Sequence, residues 1–265
     1  MAAGDVKAVL TKVRAFSCNV FDGVDDYVEV PHHWKLLDTN FSQGLTISAW
    51  INQKGIGEGA TVAWGRVVDK TAGATAGDGF CVALSATGTN FGLRIDGLIK
   101  SASAASIPID GSWKHILISI SFLGVTNFYV NGVSSGVVDQ AFGAGLNTHI
   151  TTTNVLRIGN RSQVTDSSFD GLIKDVKIWN RVLTPAEARK DYEGFTPGNP
   201  INHFKLGGDY SDYGSCGVAA TNSGSVAFTV DDNVAVAVKA QRVAATDKWM
   251  IYRGLEGQVG VVNIE

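Results

Sequence analysis

Two stretches of this chain leave little choice of backbone. In GLTISAWINQ, residues 44–53, Leu45, Ile47, Ala49 and Ile51 fall on one side, and Thr46, Ser48 and Trp50 on the other. In SWKHILISISF, residues 112–122, Ile116, Ile118, Ile120 and Phe122 oppose Trp113, His115 and Leu117. A period of two is the period of a β-strand. At roughly 1.5–3 kcal/mol per buried large apolar side chain, these strands would contribute more than about 10 kcal/mol of gross burial. Conformational entropy offsets most of that. Similar strand signals recur from residue 19 to 180, separated by Gly, Asn and Asp, which is the spacing of an all-β sandwich. With 31 Gly and 5 Pro, the chain has the composition of many tight turns rather than of a Pro-rich polymer.

The punctuation is specific. NFYVNGVSSG, residues 127–136, has Asn131-Gly132 between two β-rich arms, the residue pair that a type I′ hairpin turn demands. TPAEARKDYEG, residues 184–194, breaks the β pattern. Thr184 stands as N-cap, Pro185 opens the helix, Glu187 closes a capping box, and Gly194 lies just past the end. After the linker-like FTPGNP, shorter strand signals return in NVAVAVKAQ, KWMIYRG and GQVGVVNIE. The expected organisation is an N-terminal β arm at 1–18, a sandwich at 19–194 closed by that helix, and a linker with a β-rich extension at 195–265. About sixty residues make a marginal core of their own. The extension is therefore expected to pack on the sandwich or on a neighbour.

Charge and cysteine usage exclude several classes. The 22 Lys+Arg and 25 Asp+Glu are scattered, so a nucleic-acid footprint is not expected. No apolar run approaches the ~20 residues of a membrane span. Cys18, Cys81 and Cys216 have neither zinc-ligand spacing nor the number for a disulfide framework, and read as free thiols. Asp5, Lys7, Lys12 and Arg14 interrupt the apolar core that a signal peptide needs, so export by the general secretory route is not expected.

The tripeptide Phe-Asp-Gly occurs twice, in NVFDGVDDYVEVP (19–31) and SSFDGLIKDVKIWNR (167–181), each time beside a strand. The first copy places Asp22, Asp25 and Asp26 within five positions. Such carboxylates bind a metal, perform acid–base chemistry, or turn the backbone through Asx hydrogen bonds. No EF-hand spacing decides among these readings.

FDGVDDYVEVP, LTISAWI, GSWKHILISI, TNFYVNGV, LRIGN and FDGLIKDVKIWNRVLTPAEARKDYEG follow one another over residues 19–194. Together they resemble the concanavalin A-like lectin/glucanase superfamily, in its laminin-G-like, pentraxin-related jelly-roll branch. The resemblance implies an all-β, two-sheet antiparallel jelly-roll sandwich with about six or seven strands per sheet, whose first and last strands lie side by side. The two Phe-Asp-Gly turns would then meet on one rim. Many relatives hold a structural calcium ion near that rim, and Asp22, Asp25, Asp26 and Asp170 are the positions it implies here.

Some relatives are glycoside hydrolases, which place paired carboxylates in a Glu-x-Asp-x-x-Glu-like run on one strand. No such run exists here, so the chain reads as no enzyme. Gly132–Gly136 matches the Gly-x-Ser-x-Gly string but sits in a hairpin rather than a strand–turn–helix. The five histidines read as structural. Trp50, Trp113 and Trp179 fall within strand patterns and read as packing, whereas Trp34 and Trp64 lie near loops and are candidates for stacking on a glycan.

The functional expectation is a non-catalytic structural or recognition protein on a virion surface, as a phage or archaeal-virus head, tail or capsid decoration protein. Its partners would be copies of itself or lattice neighbours. The alternative is a carbohydrate-binding or adhesion module at a cell surface, and glycoside hydrolysis comes third. Apart from calcium, no cofactor is expected.

Overall fold

The computed structural model describes residues 16–37, 41–57, 65–72, 78–84, 87, 90–95, 98–101, 107–139, 145–146, 149–163, 165–223, 226–231, 240–242 and 249–251. The strand signal at 5–14 and Trp64 lie outside the described residues. Two antiparallel sheets face each other. The larger runs β10 (Val133–Asp139), β9 (Val125–Val130), β8 (Lys114–Ile120), β3 (Leu45–Gln53), β12 (Asp170–Trp179), β1 (Phe16–Asp22), β15 (Ala227–Asp231), with β13 (Asn202–Phe204) also paired to β12. The other runs β14 (Thr221–Asn222), β2 (Val28–Val30), β11 (Leu156–Ile158), β4 (Arg66–Thr71), β5 (Gly79–Leu84), β6 (Phe91–Ile95), β7 (Leu98–Ser101). A small pair, β16 (Ala240–Arg242) and β17 (Trp249–Ile251), belongs to neither. Among the described residues the sheets hold eight and seven strands; the second matches the six or seven expected and the first has one more.

The extra strands come from beyond the helix. β13 pairs with β12, β14 with β2, and β15 with β1. The described part of the extension thus adds a strand to each sheet edge it reaches, satisfying backbone groups and burying Phe204, Leu206 and Val226. β12 makes this joint possible. Its first half pairs with β1 and its second half with β13, and the change of partner falls at Asp175, whose φ is +52°.

The core lies between the sheets and is rich in isoleucine, with phenylalanines paired within it. Three edge-to-face pairs form there: Phe21–Phe169 at 6.3 Å, Phe41–Phe80 at 6.3 Å, and Phe91–Phe128 at 5.6 Å between ring centroids. The last joins β6 of one sheet to β9 of the other. Such pairs add about 0.5–1.5 kcal/mol beyond area burial. Leu45, Ile47, Ala49 and Ile51 of β3 face this core, as do Ile116, Ile118 and Ile120 of β8, as their alternation predicts. Asn131 and Gly132 turn the β9–β10 hairpin with φ of +51° and +72°.

The outer face of the eight-stranded sheet is covered by α1 (Pro185–Tyr192), which carries the expected capping box between Thr184 and Glu187. Leu117, Tyr129, Trp179, Leu183 and Ala188 form a second apolar cluster beneath it. Trp50 stacks on Tyr192 at 5.6 Å and Trp179 donates to Pro197 O at 2.9 Å, so both tryptophans pack as expected. Trp113 is half-buried and sits under the ammonium of Lys174, 4.8 Å from its ring centroid.

Charge is buried on this face too. Lys177 Nζ contacts Asp175 and lies 3.0 Å from Asp191 Oδ1. Asp191 Oδ2 meets His115 Nε2 at 3.0 Å, and Asp175 Oδ1 meets His203 Nε2 at 2.7 Å. Burial alone would raise the Asp191 carboxyl, but Lys177 and His115 overcome it and hold it below the usual range. Burial likewise opposes the charge on Lys177, and the two carboxylates more than reverse that.

Candidate functional site

The two Phe-Asp-Gly turns meet, as expected from the pairing of the first and last strands. β1 and β12 align Phe21 with Gly171 and Asp22 with Asp170. Phe21 and Phe169 enter the core, which leaves the aspartates at the rim. Gly23, with φ of +80°, is required by the contact itself: a Cβ there would lie 2.9 Å from Asp170 Cβ.

The carboxylates of Asp22, Asp25 and Asp26 converge, with one oxygen of each within 4.8 Å of the others. Two oxygens serve the turn: Val24 N donates to Asp22 Oδ1 at 2.8 Å, and Asp22 N to Asp26 Oδ2 at 3.0 Å. The rest have no such task. Burial raises the Asp26 carboxyl, and the charges of Asp22 and Asp25 add to it. Burial and Asp22 together raise Asp170. Asp170 lies beside this cluster rather than in it, its Oδ2 tucked over Gly55. Among the described residues no lysine or arginine pairs with any of the four. Converging carboxylate oxygens that repel one another suit a hard divalent cation such as calcium.

Trp34 is 59% exposed in a short 3-10 turn at Trp34–Leu36. His33 lies ring to ring with it at 5.6 Å, and Lys35 Nζ sits 5.9 Å from its centroid. More than half of the tryptophan's surface is open to solvent.

A third constellation lies on the outer face of the seven-stranded sheet. Strand register sets Thr221, Glu29, Arg157, Asp69, Cys81, Arg94 and Ile99 side by side across the seven strands in turn. Glu29 Oε2 accepts from Arg157 Nε at 3.2 Å, and that guanidinium lies 3.9 Å from the Tyr27 ring centroid. Asp69 is fully buried. Its Oδ1 accepts from Thr71 N, Thr71 Oγ1 and Ser162 N at 3.0, 2.8 and 3.2 Å. Its Oδ2 lies 3.4 Å from Arg66 Nε, too poorly aligned for a hydrogen bond. Burial raises Asp69 above the ordinary range despite Arg66 and these donors. Arg66 Nη1 donates to Cys81 Sγ at 2.8 Å, and burial pushes that thiol up to about 12, so it stays neutral. Arg161 reaches Asp166 from the segment that folds over Asp69.

Sequence reasoning missed this strip. Its members span residues 29 to 221 and share no spacing. The available signal was local: Arg94 is a charge in the otherwise apolar FGLRI, and RVVDKT carries Arg66, Asp69 and Lys70 in one short strand.

The profile of the concanavalin A-like lectin/glucanases superfamily matches residues 22–189. Among solved structures, the chain is similar to a protein from Bacteroides ovatus to which carbohydrate binding is ascribed, with TM-score 0.61, 16% identity, 83% of this chain covered and 61% of that one. This chain thus spans less than two thirds of the Bacteroides protein. It is also similar to the heptameric SAP-like pentraxin from Limulus polyphemus, with TM-score 0.58, 16% identity, 82% of this chain covered and 96% of that one. At these identities both likenesses concern fold alone. No curated protein matches the sequence. Among the described residues no helix is long and apolar enough to cross a membrane. With a profile match over more than half its length and the fold to go with it, the chain belongs to the concanavalin A-like lectin/glucanases superfamily.

Proposed function

We propose that this chain is a non-catalytic glycan-recognition domain. The observation that carries the reading is the outer face of the seven-stranded sheet. Helix α1 covers the opposite face, while this one carries a polar row in register across its strands, with Glu29, Arg157 and Arg94 partly exposed and Asp69 and Cys81 buried between them. A saccharide is recognised through such arrays of fixed donors and acceptors, supplemented by an aromatic platform, and Trp34 is the exposed candidate for the latter. The membership in a lectin-containing superfamily supports it.

The absence of catalysis rests on the same face. Its carboxylates, Glu29 and Asp69, are separated by Arg157, and each is engaged by a guanidinium. Asp69 Oδ1 already accepts three donors. Neither group is placed as the paired acid and nucleophile, about 5–5.5 Å apart, of a retaining glycosidase.

The rim turn would hold calcium through Asp22, Asp25 and Asp26, with Asp170 alongside. The ion would supply positive charge where these carboxylates repel one another. Display on a virion, the first setting expected from the sequence, would put this rigid platform on a particle in many copies. A cell-surface location would serve the same chemistry. Exposed Val133 and Val137 on one end strand of the larger sheet, and Phe228 on the other, favour assembly with further copies.

A glycan array probed with the full chain tests the proposal. Retention of a restricted set of glycans, without release of reducing sugar on prolonged incubation, is the expected result. Turnover of any polysaccharide would overturn the non-catalytic reading. Intact particles carrying the chain on their outer surface would establish the virion setting.

A further inference from the structure

We infer that the arginine strip on the outer face of the seven-stranded sheet is an oxyanion subsite, taking a carboxylate or sulfate group of an acidic saccharide. The inference rests on the glycan-recognition reading and deepens it.

Three guanidinium groups gather around the register pair Cys81–Arg94. Arg66 reaches Cys81 Sγ directly, Arg94 is the Cα partner of Cys81 on the next strand, and Arg161 adjoins Ser162, which donates to Asp69. Arg66 and Arg161 are 6% and 7% exposed. Against these three positive charges stand Asp69 and the exposed Asp166. The thiol is neutral and cannot balance the remainder.

The donors are also incompletely used. Nε of Arg66, of Arg94 and of Arg161 is buried without a hydrogen-bond partner, although Arg66 Nε faces the equally unpartnered Asp69 Oδ2 at 3.4 Å and Arg161 Nη1 is paired with Asp166. Among the described residues Arg94 has no carboxylate paired with it, whereas Arg157, one strand beyond Asp69, is paired to Glu29. Buried N–H groups are rarely left unmade, and each such exception asks for an occupant. Ordered water would satisfy the donors but not the charge. A planar or tetrahedral oxyanion satisfies both, because a guanidinium fork presents parallel donors at the spacing of such oxygens. Asp69 opposes such a ligand least in its neutral form, which burial favours, and its Oδ1 is occupied by three donors while Oδ2 faces Arg66. Arg94 lies two strands from Asp69 and is half-buried, so part of its side chain meets solvent.

The test is calorimetric titration of the full chain with four probes. An oligogalacturonate carries carboxylate alone, a sulfated galactose oligosaccharide sulfate alone, a heparin-derived hexasaccharide both, and maltohexaose neither. At least one acidic probe should bind tenfold or more tighter than maltohexaose, and more weakly as salt is raised. Arg94→Gln should weaken that binding roughly tenfold or more, with Arg94→Lys in between, because a charge-assisted bidentate contact is lost. Arg161→Gln provides a second, independent reading. Thermal midpoints of all three variants identify any that fail to fold. Acidic probes that bind no tighter than maltohexaose, or affinities within twofold in both Gln variants, overturn the subsite and leave glycan recognition standing. Binding of none of the probes, together with an empty array, overturns both.

Discussion

On the outer face of the eight-stranded sheet, Lys177 lies between Asp175 and Asp191, and each of those carboxylates meets a histidine. On the outer face of the seven-stranded sheet, Asp69 faces one misaligned arginine, and Arg94 faces no carboxylate among the described residues. Both faces bury charge in strands of one sandwich. Burial works against ionisation in both, but the partners overcome it at Asp191 and fail to at Asp69. The network under the helix answers both of its carboxylates, with His115 Nδ1 left over, and serves the fold. The other leaves three arginine Nε groups without hydrogen bonds, which suits a surface that takes a ligand.

The comparison breaks most sharply at Asp191. Asp191→Ala leaves Lys177 and His115 buried without their shared partner and should cost about 3–5 kcal/mol, read as a loss in urea-denaturation stability. A loss under about 1 kcal/mol would mean the network is not closed in solution.

Acid titration sharpens it next. Asp191 and Asp175 are held below their unfolded value of about 3.9, so their stabilisation is present above that pH and is lost as pH falls from there through their lower folded values. Lys177 is raised, so its share is complete below its unfolded value near 10.4 and is lost only above it. Asp69, Asp26 and Asp170 behave oppositely: raised carboxyls penalise the fold once ionised, and that penalty lifts as pH falls. Asp191→Asn should therefore flatten the acid side of a thermal-midpoint profile between pH 3 and 6, while Asp26→Asn should steepen it.

The acidic rim is a third case, in which like charges have no cation of their own. Calcium at a hundred times its dissociation constant should stabilise the chain by about 2.7 kcal/mol, and a chelator should reverse the rise in melting temperature. Asp26→Asn should abolish most of that response. A melting temperature indifferent to calcium would leave these aspartates as turn residues.

Lys70 offers a smaller effect. It is fully buried beside Thr152 O, and burial lowers its ammonium to about 8 despite Asp78. Because its folded value lies below its unfolded one, stability should rise between pH 8 and about 10.4. Lys70→Met should stabilise the chain by about 1 kcal/mol at pH 7 and remove that rise. Smallest of all, Arg94→Gln should shift stability by no more than about 0.5 kcal/mol, since among the described residues no carboxylate pairs with the wild-type side chain and its Nε has no hydrogen bond. A destabilisation above about 1.5 kcal/mol would assign Arg94 to the fold rather than to a ligand.

Much of the sandwich was legible before any coordinates. The faces of β3 and β8, the Asn131-Gly132 turn and both ends of α1 follow from side-chain period, allowed φ and capping, each settled within a few residues. The meeting of Asp22 and Asp170 was legible through the family resemblance, not through spacing. The strip of Arg66, Asp69, Cys81, Arg94 and Arg161 was not legible, nor was the way β13, β14 and β15 join both sheets.

By itself, then, the sequence determined that this chain is β-rich, where it turns, which strand faces are apolar, and that one helix interrupts it. Those properties depend on near neighbours along the backbone. Only the tertiary structure decided which charges are answered and which are left over. Strand register and the docking of α1 set those distances, bringing Lys177 to Asp191 and Arg94 to Cys81 across intervening chain that carries no record of the pairing.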